Sequence, residues 1–197
     1  MPNVRVLILA DDALAPVDRL WRDAVDHLAR KLGRVVPLDS ADVPTSRAAA
    51  IAHLDAWAGR EAGNWRVEVT RFYDDHIPVY LRPDPELNST LRRLAGDGVR
   101  LGAWSPGPPE AMAAVAHFLG LERRLAFQAV DPDPGAALAA AGEGLEDPQI
   151  TVVAASPPLL AAGRAAGAST VGALWTGADR DTLAPAADRV LERPAAL

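Results

Sequence analysis

The 197-residue chain has no cysteine. That excludes disulfides, a thiolate nucleophile and cysteine-ligated zinc, and it suits a reducing compartment, so a cytoplasmic location is the expectation. The start of the sequence lacks the basic region and apolar core of a secretory leader, and no apolar run approaches the roughly 18 residues of a membrane span. Basic charge is also short: 20 Lys and Arg face 26 Asp and Glu, a net charge of -6. Neither nucleic acid nor an anionic membrane is therefore an expected partner. No G-x-G-x-x-G or P-loop is present. His27 and His53 lack metal-ligand spacing, His117 falls on a core helix, and there is no internal repeat.

What remains is ordinary for a globular chain: 49% hydrophobic and 23% charged residues, enough to bury a real core. The length suggests one domain, or a core with an insertion. Five of the six residues in Val4–Leu9 are apolar, which predicts a strand buried on both faces. It runs into two adjacent acids, Asp11 and Asp12, before Pro16 closes the extended segment. Ligands of open parallel sheets sit at the carboxyl ends of the strands, so this acid pair lies where a site would be.

The spacing of Leu20, Trp21, Ala24, Val25, Leu28 and Leu32 predicts a helix over Val17–Leu32. Thr45 is placed to cap a second helix running to about Ala58. Trp65–Tyr80 has a mixed pattern, and its aromatics Trp65, Phe72, Tyr73 and Tyr80 read as the core of an insertion. Residues 17–80 thus form a mostly helical insertion, and 1–16 with 81–197 form the core. Pro83 and Pro85 precede a helix ending near Leu94. Strands are predicted at Val99–Trp104, Ala126–Val130, Ile150–Ala154 and Ser169–Trp175. They alternate with helices at Pro109–Leu119, up to about Ala141, and at Pro158–Ala166. Such alternation implies a parallel sheet with right-handed crossovers.

Four strand ends in this order, with a helical block after the first, resemble the haloacid dehalogenase-like (HAD) hydrolase superfamily. Leu9-Ala10-Asp11-Asp12-Ala13-Leu14 is similar to its first motif, Asp-x-Asp-(Gly/Asp)-Thr-Leu, and Ser105 to the Ser or Thr of its second. Val130-Asp131-Pro132-Asp133-Pro134 resembles the third motif, with Asp131 at the lysine position. Ala154-Ala155-Ser156-Pro157-Pro158-Leu159, followed by Ala162-Gly163-Arg164-Ala165-Ala166-Gly167, resembles the fourth. The resemblance implies an α/β fold: a Rossmannoid parallel sheet of five or more strands in the order 5-4-1-2-3, flanked by helices. Residues 17–80 would be a helical cap over the carboxyl ends.

The same alignment sets Leu9 at the nucleophile position, Asp131 at the lysine position, and Ala155 and Leu159 at two metal-binding acids. Asp11 is left as an acid/base group and Ser105 as the hydroxyl. The resemblance therefore implies a chain inactive as a phosphatase or dehalogenase, a pseudoenzyme binding a small molecule or protein partner in the cleft. The alternative is a divergent enzyme using metal-independent acid/base chemistry at Asp11. Asp12, Asp131, Ser156 and His76 are the ligand-binding candidates. No cofactor is expected, Mg²⁺ being at most weakly held by carboxylates, and a homo-oligomer stays open. An apolar Leu9 should pack inward against Leu159.

Overall fold

The computed structural model describes residues 4–197 apart from positions 60, 62, 82 and 83, so Pro83 lies outside the described residues. The first apolar run is β1 (Arg5–Ala10), central in a six-stranded sheet. The other strands are β2 (Arg100–Ser105), β3 (Phe127–Val130), β4 (Gln149–Ala154), β5 (Ser169–Ala173) and β6 (Arg189–Leu191). Every pairing is parallel, in the order β3-β2-β1-β4-β5-β6. The expected five-strand order is present, and β6 extends it beyond β5.

No hydrophobic period announces β6, because side-chain to backbone bonds hold it. Thr170 N donates to Asp188 Oδ2 at 2.8 Å, and Asp188 N donates to Thr170 Oγ1 at 2.8 Å. This reciprocal clamp fixes the chain beside β5 one residue before β6 begins.

Alternation along β1 divides the core into two layers. Leu7 and Leu9 face one, while Val6, Ile8 and Ala10 face the other. A leucine buried as fully as Leu9, which has no exposed surface, contributes about 1.5–3 kcal/mol. The first layer holds α2 (Val17–Lys31), α3 (Arg47–Ala58), α4 (Trp65–Tyr80), α5 (Pro85–Gly96) and α6 (Pro109–Phe118). The second holds α7 (Gly135–Gly142) and α8 (Pro157–Ala165), and Leu183 of the short α9 (Arg180–Leu183) joins it. One further helical turn, α1 (Asp11–Leu14), directly follows β1. Leu9 and Leu159 lie in different layers, so the expected contact between them is not made.

Three local expectations need revision. The acid pair opens the turn α1, and the residue before α2 is Pro16. Ser46 rather than Thr45 precedes α3, and its side chain makes no capping bond. Trp65–Tyr80 is one continuous 16-residue helix. Asn64 starts it by accepting from Arg66 N at 3.1 Å. Pro78 sits in its last turn, where the missing N–H costs a single bond. Trp65, Phe72 and Tyr73 are buried in the first layer, in one cluster with residues of β1, β2 and α6, and Tyr80 is partly exposed. Among the described residues, no helix is long and apolar enough to cross a membrane.

Candidate functional site

The register of β1 decides which side chains reach the carboxyl edge of the sheet. Leu9 pairs with Ala103 on one side and Val153 on the other, and Ala10 pairs with Trp104. Counting on, Asp11 is level with Ser105 at the end of β2 and with Ala155 just past β4. Leu9 is two residues further in than Asp11 and is sealed within the sheet.

Asp11 has only 4% of its surface exposed. Its Oδ2 accepts the Ser105 hydroxyl proton at 2.6 Å, and Ser105 Oγ accepts from Gly107 N at 3.1 Å. Ser105 is itself wholly buried, so it orients Asp11 from behind. The same Oδ2 is ion-paired with Arg47 Nη1. Among the described residues, Asp11 Oδ1 accepts no hydrogen bond.

Arg47 comes from the first turn of α3 and is brought over the acid pair by the helical block between β1 and β2. Its side chain is 9% exposed, and its Nη2 reaches Asp18 Oδ1 at 3.2 Å. Burial works against the guanidinium's charge, but Asp11, Tyr73 and Asp18 outweigh that and hold its pKa above the ordinary value. Its Nε is buried with no hydrogen-bond partner among the described residues. An unpaired buried donor is costly, and an anionic acceptor in the cleft would satisfy it.

Asp12 points toward β4, where its Oδ1 accepts from Ala155 N at 2.9 Å. Burial, and next the negative charge of Asp11, push its pKa up to about 6, against the opposing pull of Ser156, Ala155 N–H and Arg47. At neutral pH this carboxyl holds its proton far more often than an ordinary aspartate does.

These groups meet at a cleft of about 560 Å³ lined by Asp11, Asp12, Arg47, Trp21, Trp104 and Ser156, among others. A second cavity, also about 560 Å³, opens at the amino ends of the strands beside Arg5, Gln149 and Ser169. Among the described residues no carboxylate side chain lines it, so the chemistry favours the first.

The remaining candidates lie elsewhere. Asp131 is exposed and folds its Oδ1 back onto Asp133 N at 2.8 Å, and only its neighbour Pro132 borders the cleft. His76 bonds Phe72 O at 2.8 Å through Nδ1 and stacks on the Phe72 ring at 4.0 Å between centroids, away from the cleft. Leu159 is fully buried in the second layer. Arg47 is the group sequence reasoning missed. It is the only Lys or Arg in α3 and stands in the first turn, where the helix dipole disfavours a cation. That misplaced charge is the signal that could have pointed to it.

The donor set does not fit Mg²⁺, whose binding acids the resembled superfamily carries at the positions of Ala155 and Leu159. Ala155 and Leu159 offer no side-chain oxygen, and the charge of Asp11 is already met by Arg47. Among the described residues, no three His, Cys, Asp or Glu side chains are grouped to hold a metal.

No family model matches the sequence, and no curated protein matches it. Solved structures do share its fold. A mutant of CbbY from Rhodobacter sphaeroides, in complex with xylulose-(1,5)bisphosphate, superposes with a TM-score of 0.73 at 16% identity, over 98% of this chain and 95% of that one. A predicted phosphoglycolate phosphatase from Haemophilus somnus 129pt gives 0.72 at 14% identity, over 99% and 96%. A haloacid dehalogenase-like family hydrolase from Streptococcus pneumoniae gives 0.68 at 13%, over 98% and 96%. The second and third of these are a phosphatase and a hydrolase by description, so the architecture gives no ground for an inactive binding protein, and that expectation is corrected. It rested on Leu9, Asp131, Ala155 and Leu159 standing at the reacting, lysine and metal-binding positions of the resembled superfamily. The chain has the haloacid dehalogenase-like fold.

Proposed function

We propose that the chain is a hydrolase of small phosphate monoesters that works through a covalent intermediate on Asp11. One observation carries this reading. Asp11 is a buried carboxylate at the edge of the central strand, fixed by Ser105 and offset by Arg47, with Oδ1 free of hydrogen bonds from the described residues. The phosphatases among the fold neighbours support the substrate class.

In the first step an Oδ1 lone pair of Asp11 forms a bond to phosphorus while the ester P–O bond breaks. Asp12, with its raised pKa, gives its proton to the leaving oxygen. In the second step Asp12, now a carboxylate, takes a proton from water as that water attacks phosphorus. Phosphate leaves and the Asp11 carboxylate is restored. Arg47 faces the charge building on the phosphoryl oxygens, with Nε as its unused donor. Ser105 is a positioning residue. In this reading residues 17–80 act as a cap that delivers Arg47 to a core formed by 1–16 and 81–197.

The test is phosphate release from a panel of small monoesters, with and without chelator, followed by acid quench and borohydride reduction. An aspartyl phosphate at position 11 is reduced to homoserine, which peptide mass spectrometry detects. Asp11→Asn should lower turnover by a factor on the order of 10⁶ and abolish the homoserine. Phosphate release that survives Asp11→Asn overturns the reading.

A further inference from the structure

Two carboxylates of unequal standing share the one guanidinium of Arg47. Nη1 is ion-paired with Asp11, whose side chain is more than nine-tenths buried. Nη2 reaches Asp18 Oδ1 at 3.2 Å, and the Asp18 side chain is 75% exposed. Asp11 is held a second time by the Ser105 hydroxyl. The Asp18 carboxylate makes no other hydrogen bond among the described residues. Nε, the neighbour of Nη2 on one edge of the planar guanidinium, is buried and has no partner among the described residues. That edge therefore has one unfilled donor and one donor held by a carboxylate that stands mostly in water.

We infer that Asp18 is a displaceable guard on Arg47, which holds the guanidinium before a ligand arrives and yields it to the ligand's oxyanion. The inference rests on the hydrolase reading for phosphate as that oxyanion. Two negative charges already face one positive charge, so a phosphate dianion that joined them would be repelled. One carboxylate has to leave. Moving Asp11 would strand a buried charge. Asp18 swings into water at little cost, because an exposed ion pair contributes little. Phosphate then offers two oxygens to the two donors of that edge, and such bidentate pairing is stronger than a single carboxylate contact. Asp18 acts through Arg47 and touches no reacting atom, so it is a positioning residue that sets affinity.

The test is calorimetric binding of orthophosphate to wild type, Asp18→Ala, Asp18→Asn and Asp26→Asn. The last removes the same charge two turns further along α2. A guard opposes binding, so Asp18→Ala should tighten the phosphate Kd about two- to fivefold. Asp18→Asn should move it in the same direction, and Asp26→Asn should leave it unchanged. A residue that only braces Arg47 gives the opposite sign, because its loss would weaken binding. In wild type isotope-labelled at arginine nitrogen, phosphate should move the Arg47 Nε–H signal to lower field. That signal is identified by its loss in Arg47→Lys. Asp18 is exposed, so its substitution leaves the core intact. Weaker or unchanged binding by Asp18→Ala overturns the inference, as does equal tightening by Asp26→Asn. So does an Nε–H signal that phosphate leaves in place, or absence of phosphate binding by all four proteins. The hydrolase reading stands or falls separately, on the homoserine at position 11.

Discussion

Ser105 donates its hydroxyl proton to Asp11 Oδ2 across 2.6 Å, although 94 positions separate the two residues in the chain. The bond exists because β1 and β2 are neighbours in register, which puts both residues at the same edge. Hydrogen bonds to a charged group contribute about 1.5–3 kcal/mol. Ser105→Ala should lower the melting temperature by several degrees, at about 2–4 °C per kcal/mol for a chain of this size. It should also lower kcat with little change in KM, and Ser105→Thr should restore part of it. A variant that melts lower yet keeps full kcat would assign Ser105 to stability alone.

The Arg47–Asp11 pair gives a double-mutant test. Both side chains are more than nine-tenths buried. Removing one partner leaves an uncompensated charge, at a cost of about 3–5 kcal/mol. Arg47→Gln should melt well below wild type, and Asp11→Asn in the Arg47→Gln background should recover much of the loss. Strictly additive melting shifts would show that the two side chains are not coupled in solution.

Asp12 makes activity and stability depend on pH in a defined direction. Its pKa rises from 3.8 to about 6 in the folded chain. As the donor to the leaving group it must be protonated, so kcat should fall as pH rises through about 6. The folded state holds the proton more tightly than the unfolded state. The stability advantage is therefore full below about 4 and is lost as pH rises toward about 6. Asp12→Asn cannot ionise, so it should melt above wild type at about pH 8, with the gap closing on acidification. Parallel melting curves for the two proteins from about pH 4 to about pH 8 would refute the shift.

Leu9→Ala separates the two registers in which the first motif can be read. Leu9 is fully buried inside the sheet, and truncating such a leucine costs about 2–5 kcal/mol. The variant should melt lower while each folded molecule keeps its turnover. A loss of kcat without loss of stability would show that Leu9 shapes the site rather than only the core.

The alternating architecture was legible because its signals are local. The apolar run that becomes β1, the helical spacing in Val17–Leu32 and the proline-started helices each state their own conformation. Five strands were open to a reader of the sequence for that reason, and their order followed from the resemblance to the haloacid dehalogenase-like superfamily. β6 was not, because its three residues are held by the Asp188–Thr170 clamp rather than by any period of their own. Trp65–Tyr80 failed for a related reason: α4 packs against both α2 and α6, so its apolar residues are divided between two faces and no single clean stripe appears.

The site divides in the same way. The sequence alone determined that an acid pair follows the central strand and that Ser105 ends the next one, since both sit at the ends of recognisable apolar runs. It could not show which residue of Leu9-Ala10-Asp11 stands at the edge, because motif spacing does not report where ladder pairing stops. Tertiary structure decided that, through the pairing of Leu9 with Ala103 and Val153. It also decided that Arg47, 36 residues from Asp11, supplies the buried positive charge. Asp131, shortly before the core helix α7, instead turns back on its own loop. Charge placement at a site depends on distance through space, and chain separation carries almost no information about that distance once helices pack across a sheet.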